Sequence, residues 1–378
     1  MFLKRILTQP VLKNDQERAT FVRRFGMMSH SLKECQGLKL YNEKDRIVWI
    51  NPKPKAGSKN LNFYCFNERD YGDLNQLLNT ITQKENEMKE KGYDLSGVKS
   101  FNRNVWLDLS KESNAIEGIF QDFSQDLLDF RTQLRGQIAL DPPTENFEKY
   151  DYFKKLLNQY YELKENNDTC VKLKGKKVEH IFNMDTIRHF IAFKYAYKCA
   201  KKDRRKKLTR SDVSEVISNT SALLSGNLFV PFRSIQVYIL DGTANWVPAN
   251  PKAINEKLDA LADWFVDDNQ SGRLHPIEKA AIFHAEFIRI HPFMDGNGRT
   301  GRILANYSLI RDEMPTVSIK HKNTKQYFDA LNKAIESHEI DDLVEMFYKE
   351  VYNSASLIDD CLNQIEKTQK PREKEAVK

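Results

Sequence analysis

The sequence predicts a mainly α protein with a smaller α+β region at its N-terminus. Three observations carry that expectation. Most segments from residue 98 onward place apolar residues three and four apart, the spacing of one helix face. Short runs rich in aromatic and β-branched residues gather before residue 97, as strands do. One extended stretch, 235–248, interrupts the helical part. The chain has 378 residues, 40% hydrophobic and 30% charged. That is an ordinary globular balance, and the length suits one large domain or two ordinary ones. The expected division is an N-terminal region over 1–97 without assignable chemistry, a helical core over 98–365, and a charged tail over 366–378, too poor in apolar residues to order itself.

The elements follow in chain order. Asp15 to Phe25 fits a charged helix. Leu38 to Tyr41 and Arg46 to Ile50 read as short strands. Asn51 to Ser58 has the composition of a turn, and Leu61 to Phe66 fits a partner strand. Leu74, Leu77, Leu78 and Ile81 give Asp70 to Lys91 a helical period. Further helices are expected over Phe120 to Leu134, Phe147 to Lys164 and Asp185 to Lys202. Ile235 to Ile239 alternates, Asp241-Gly242 signals a turn, and Trp246-Val247 returns. Such a hairpin is not stable alone in water, so it must lie against the helical body. Helices resume at Pro276.

Charge and cysteine usage narrow the function classes. The net charge of +6 is small for this length, so a solvated surface explains it and a nucleic-acid partner is not expected. The basic run Lys201 to Lys207 reads as a solvated helix end. The five cysteines are widely spaced and form no Cys-x-x-Cys pair. Neither a disulfide framework nor a zinc site is indicated, and a cytoplasmic setting is expected. No apolar run approaches the ~20 residues of a membrane span.

The segment His291-Pro292-Phe293-Met294-Asp295-Gly296-Asn297-Gly298-Arg299-Thr300-Gly301-Arg302 carries the chemistry. Ile277, Ala280, Ala281, His284, Phe287 and Ile288 share one face of the helix before it. Pro292 stops that helix, which leaves His291 at its end. The glycine-rich loop leads into a new helix near Arg299. Unpaired N–H groups at a helix start attract anions. Arg299 and Arg302, three apart, add two guanidiniums on one side. The combination points to phosphate. Asp295 beside it is enough for a magnesium ion that takes its other ligands from phosphate. His291 is then the natural base for a hydroxyl attacking that phosphate.

These residues match the motif His-x-Phe-x-(Asp/Glu)-Gly-Asn-Gly-Arg-x-x-Arg, and the chain resembles the Fic family over residues 99–365. Ser113-Asn114-Ala115-Ile116-Glu117-Gly118 is similar to that family's inhibitory motif, (Ser/Thr)-x-x-x-Glu-(Gly/Asn). Residues 235–248 resemble its flap, with Arg233 where members often carry an arginine before it.

The resemblance implies a Fic-fold helical bundle with a β-hairpin flap, and an enzyme that transfers AMP from ATP to a Tyr, Thr or Ser hydroxyl of a protein substrate held at the flap. His291 would take the hydroxyl proton. Asp295 would hold Mg²⁺. Backbone groups of Gly296, Asn297 and Gly298 would cradle the transferring phosphoryl, with Asn297 on phosphate or ribose. Arg299 and Arg302 would hold the β- and γ-phosphates, while Asn306 and Tyr327 would sit around the nucleoside. Phe293 and His284 are expected in the core. Glu117, with Ser113, would pair with Arg302 at rest, giving autoinhibition. In some members the same glutamate positions water for removal of AMP. A homodimer is the family-based expectation, and no membrane is involved. Gly298 and Arg302 favour AMP over the family's kinase-like and phosphocholine transfers. UMP transfer and a regulatory binding role for the chain both remain open.

Overall fold

The computed structural model describes residues 45–49, 63–119, 148–167, 172–173, 176–177, 184–204, 206–239, 246–267 and 271–371. Among the described residues, strands β1 (Asp45–Trp49) and β2 (Phe63–Asn67) come first, followed by helices α1 (Gly72–Glu90), α2 (Ser96–Ile116) and α3 (Lys149–Asn167). After a two-residue strand pair at 172–173 and 176–177 come α4 (Met184–Asp203), α5 (Arg210–Ser225), α6 (Ile254–Val266) and α7 (Pro276–Ile290). Helices α8 (Asn297–Arg311), α9 (Thr324–Ser337) and α10 (Asp341–Thr368) complete it.

At the centre is the pair α7–α8. Helix α7 buries Ile277, Ala280, Ala281, Phe283, Phe287 and Ile290 together with His284 and Glu286. A helix buried on all sides belongs inside a bundle, and α4, α6, α9, α10 and α2 surround this pair. Local chemistry fixes its ends. His275 caps α7 through Nδ1, which accepts from Ile277 N, and Glu278 answers on His275 N–H. Pro276 follows as the first helical residue, where its missing N–H costs nothing. Helix α5 has a capping box from Thr209 and Asp212 and ends on Gly226 at φ 70°, a left-handed stop that glycine tolerates.

Strands β1 and β2 pair antiparallel, with Ile47 opposite Cys65, in the segments where the sequence predicts strands. Residues 63–71 join the same core as the helices. Cys65 N–H donates to His338 O at 2.7 Å, and Ile340 N–H donates to Cys65 O at 3.1 Å. The helix predicted over 70–91 is α1, and those over 147–164 and 185–202 are α3 and α4. The expected helices at 15–25 and 120–134 and the strand at 38–41 lie outside the described residues.

Two expectations change. The arms of the 235–248 segment form no strand among the described residues; its tip, 240–245, lies outside them. Side chains join the arms instead: Gln236 Nε2 donates to Pro248 O at 3.0 Å, and Arg233 reaches Ala249 O. Ile235, Tyr238 and Val247 face solvent, so no buried face sets a pairing register. The expected tail begins inside α10, which runs through Thr368 because Leu362 and Ile365 still bury against the body. Residues 372–378 lie outside the described part. No helix among the described residues is long and apolar enough to cross a membrane.

Candidate active site

His291 is the residue on which α7 ends. Its backbone is left-handed, φ 51° and ψ 61°. A non-glycine residue in that region is held there by its surroundings at a cost of about 1–2 kcal/mol. The surroundings are visible. His291 N–H donates to Phe287 O at 3.0 Å, and Arg233 Nε donates to His291 O at 2.7 Å. Buried Arg233 also donates to Ile235 O and Ile290 O, while its backbone N–H donates to Pro292 O. One guanidinium thus ties both arms of the flap segment to the turn that carries His291.

The imidazole is half-buried, with Nδ1 3.3 Å from Ile288 O. A carbonyl only accepts, so that contact assigns the proton to Nδ1 and leaves Nε2 as the lone-pair nitrogen. Burial pushes His291 down to about 4, against the raising pull of Ile288 O, and the Arg233 charge adds to the lowering. The ring is therefore neutral at physiological pH and competent to accept a proton.

The loop 292–296 is braced from within. Asn297 is 2% exposed; its Oδ1 accepts from Phe293 N at 2.9 Å and its Nδ2 donates to Phe293 O at 2.8 Å. The side chain expected on phosphate or ribose instead closes the loop on itself. Its backbone N–H remains at the start of α8, which no side chain caps. Gly296 precedes it at φ 79°, the positive angle that demands glycine there. The N–H groups of Asn297, Gly298 and Arg299 thus form the first turn, where helical donors lack partners and the dipole favours an anion. Phe293 is buried against Phe232 and Phe287, as expected of a core anchor.

Arg302 lies at the closed end of this nest. It is 5% exposed and donates Nε to Ser113 Oγ at 2.9 Å and Nη2 to Ser113 O at 2.8 Å. Nη2 also reaches Glu117 Oε1 at 2.7 Å. Burial alone would push the guanidinium down, but the Glu117 carboxylate and the Tyr327 hydroxyl together outweigh it and hold Arg302 above its ordinary range. Glu117 is the residue on which α2 stops, with Gly118 at φ 74° behind it. Its carboxylate comes so close to α8 that a Cβ on Gly298 would collide with Oε1. The sequence brought Ser113, Glu117 and Arg302 forward as a set, and the structure brings them together.

Arg299 lies at the open end. Its Nη2 is 3.2 Å from Asp295 Oδ2, and its Nη1 is 3.3 Å from Asp185 Oδ1. Asp185, in the first turn of α4, also pairs with Arg188 at 2.7 Å. Sequence reasoning missed this carboxylate, because an acid in a first turn already has a sufficient role against the helix dipole. Asp295 is 91% exposed, and its Oδ1 accepts from Gly296 N at 2.6 Å. No group of three or more metal-type ligands exists among the described residues. One exposed carboxylate fits a magnesium ion whose remaining ligands come from phosphate and water, and does not fit a protein-only metal cage.

Two N–H groups of these arginines stand out. Arg299 Nε and Arg302 Nη1 are buried without a hydrogen-bond partner among the described residues. An unpaired buried donor is costly, about 1–3 kcal/mol and more on a charged group.

The two residues expected around a nucleoside have other partners. Asn306 Nδ2 donates to Arg302 O and Val317 O, both at 3.0 Å, while Oδ1 accepts from Val317 N at 2.8 Å. It fastens α8 to the segment after it. Tyr327 is buried, with its hydroxyl 2.8 Å from His284 Nε2 and its ring 5.8 Å from the Arg302 guanidinium. It backs Arg302 from below. His284 is pushed down to about 3 by burial, so this core histidine is neutral. His189 was not singled out by its sequence. It is buried with Nδ1 3.0 Å from Ser110 Oγ, and burial, then Arg302 and Arg299, holds it well below its usual range.

Fold and site together define a helical protein with an anion nest, two arginines and a poised imidazole. Residues 208–309 match the model of the Fic/DOC family. Over 103 residues it is 40% identical to the protein adenylyltransferase Fic of Nematostella vectensis, covering 27% of this chain and 23% of that one. Over 176 residues it is 32% identical to the protein adenylyltransferase Fic of Drosophila grimshawi, covering 45% of this chain and 33% of the relative. The matched part is thus a third or less of each relative's length. The fold is similar to that of a Fic domain containing signaling protein from Bacteroides thetaiotaomicron, with a TM-score of 0.51 and 20% identity. That alignment covers 76% of this chain and 98% of the other.

Proposed function

We propose that this chain is a protein adenylyltransferase restrained by its own helix α2. It would move AMP from ATP to a Tyr, Thr or Ser hydroxyl of a protein. The observation that carries the reading is the placement of Arg299 and Arg302 beside the start of α8, each with a buried N–H that finds no partner among the described residues. Phosphate oxygens supply what both lack. The names of the matched relatives support AMP as the group moved.

In this scheme His291 Nε2 takes the proton from the target hydroxyl as its oxygen attacks the α-phosphorus. The bond to the bridging oxygen breaks, and pyrophosphate leaves. The charge that grows on the phosphoryl oxygens is met by the first-turn N–H groups of α8, and the β- and γ-phosphates by Arg299 and Arg302. This is positioning plus electrostatics, as phosphoryl-type transfers require. Asp295 would hold a magnesium ion, which supplies Lewis-acid neutralisation of the phosphates. The flap segment, with Ile235, Tyr238 and Val247 exposed, would receive the protein substrate.

At rest Glu117 occupies the Arg302 that a γ-phosphate needs. It engages Arg302 through Oε1. Its second oxygen would be suited to hold the water that removes AMP from a modified target, so both directions belong to the proposal.

The test is intact-mass measurement after incubation with ATP and Mg²⁺. We expect an adduct of about 329 Da, one AMP, on the Glu117→Gly protein, and none on the same protein carrying His291→Ala. Incubation with UTP in place of ATP tests UMP transfer. No adduct on Glu117→Gly with any nucleoside triphosphate would overturn the reading.

A further inference from the structure

The N-terminal segment 64–71 has no assigned role, yet it touches both ends of the helix that carries His291. At the start of α7, the Tyr71 ring stacks on His275 with centroids 3.5 Å apart and planes 2° from parallel. Its hydroxyl donates to Glu278 Oε1 at 3.2 Å. His275 and Glu278 are the two residues of the capping box. In the last turns of α7, the Tyr64 hydroxyl donates to Glu286 Oε2 at 3.1 Å. Glu286 is buried and is gripped by Arg289 through Nε at 2.8 Å and Nη2 at 2.6 Å. Arg289 stands two residues before His291, and its carbonyl accepts from Ala249 N–H in the returning arm of the flap segment.

The segment is itself anchored elsewhere. Cys65 bonds in both directions to the backbone at 338–340, Asn67 N–H donates to Asp341 Oδ1 at 2.9 Å, and Arg69 pairs with Glu345. It therefore runs as a strap from the α9–α10 corner along α7. Seven extended residues reach about 23 Å, enough to span the eleven residues between His275 and Glu286, about 17 Å of helix.

We propose that Tyr64 and Tyr71 are positioning residues for the transfer: the strap fixes α7 along and about its axis, and so sets where His291 meets the target hydroxyl. This rests on the transferase reading. Both hydroxyls bond to α7, so the site on α8 should keep its geometry when the strap is loosened. The requirement is geometric, because small misplacements of a reacting group cost rate steeply.

The experiment uses the full chain with Glu117→Gly, so that transfer is measurable. Tyr64→Phe keeps the ring and removes one hydrogen bond. We expect kcat to fall about fivefold to tenfold with KM for ATP unchanged. Hydrogen exchange at the amides of Ile290 and His291 should quicken while those in the middle of α8 keep their protection. Tyr71→Phe, at the far end, should give the same pattern with a smaller loss. An unchanged kcat in both variants overturns the proposal, and so does a loss shared by KM and the α8 amides. If Glu117→Gly shows no transfer at all, the transferase reading fails instead. The exchange of Ile290 and His291 in Tyr64→Phe then still decides whether the strap holds α7.

Discussion

The two ends of the proposed phosphate site are built on the same helix and held in opposite ways. Arg302 is enclosed. Its partners come from α2, its floor is Tyr327, and it is 5% exposed. Arg299 is nearly as buried along its stem, but its partners are Asp185 on another helix and Asp295, which is 91% exposed. The Arg302 end is a latch closed by one segment. The Arg299 end is a rail open to solvent, where ion pairs are weak and a ligand's phosphate competes readily. The partners are the difference: those of Arg302 come from one helix, whereas one carboxylate of Arg299 stands in solvent. Removing one partner from an enclosed guanidinium leaves a charge that seeks another anion, whereas removing one from a solvated pair changes little.

The largest expected effect comes from opening the latch. Glu117→Gly should raise self-modification by at least about tenfold, because each ~1.4 kcal/mol of released competition is a factor of ten. It should also cost about 1–3 kcal/mol of stability in the nucleotide-free protein, since Arg302 loses its one carboxylate and keeps Ser113 and the Tyr327 ring. Added ATP should restore that stability by mass action. Thermal melting with and without ATP checks both signs. A variant that transfers no faster than wild type, yet still requires His291, would show that Arg302 is not the limiting contact.

At the open end the change should be smaller. Asp185→Asn keeps an oxygen for Arg299 to donate to and removes the charge that competes with phosphate. In the Glu117→Gly protein we expect KM for ATP to fall about twofold to threefold, in keeping with the ~0.2–1 kcal/mol of a partly exposed ion pair, and kcat to hold. Steady-state kinetics decides. A rise in KM would recast Asp185 as the residue that aims Arg299, and the two ends would then be alike.

How much of this was readable in the sequence depends on distance along the chain. The helix–loop–helix around 291–302 has its instructions locally: Pro292 as a stop, Gly296 for a positive φ, arginines three apart. The pairing of Ser113 and Glu117 with Arg302 spans 185 or more residues. It was legible through the resemblance, since a serine and a glutamate four apart on a helix are otherwise ordinary. Asp185, 114 residues from Arg299, had no such pattern. Asn297, Asn306 and Tyr327 were expected around a nucleotide, and their polar atoms face Phe293, Val317 and His284, because a buried amide or hydroxyl must find a partner whether or not a ligand is bound. The flap arms were read as strands from alternation, a turn signal at Asp241-Gly242 and the family resemblance. Alternation specifies a strand only when one face is buried, and here Ile235 and Tyr238 face solvent. Tyr64 and Tyr71 read as members of a strand and a helix start; nothing near them in sequence announced Glu286 or Glu278.

The smallest effect tests whether the latch is one contact or two. Ser113 supplies Arg302 with its hydroxyl at 2.9 Å and its carbonyl at 2.8 Å. Ser113→Ala removes only the hydroxyl and leaves α2 helical, since alanine is the better helix former. Arg302 Nε then loses its acceptor in a buried place, which costs about 1–2 kcal/mol. That cost falls on the resting state and on the ATP-bound state alike if Arg302 keeps its pose when phosphate arrives. Basal transfer should then stay within about twofold of wild type while the melting temperature drops. If Arg302 instead leaves Ser113 to reach the γ-phosphate, the cost falls on the resting state alone and basal transfer rises about tenfold. Measuring both quantities on one variant separates a guanidinium that stays fixed and waits for Glu117 to leave from one that moves with its ligand.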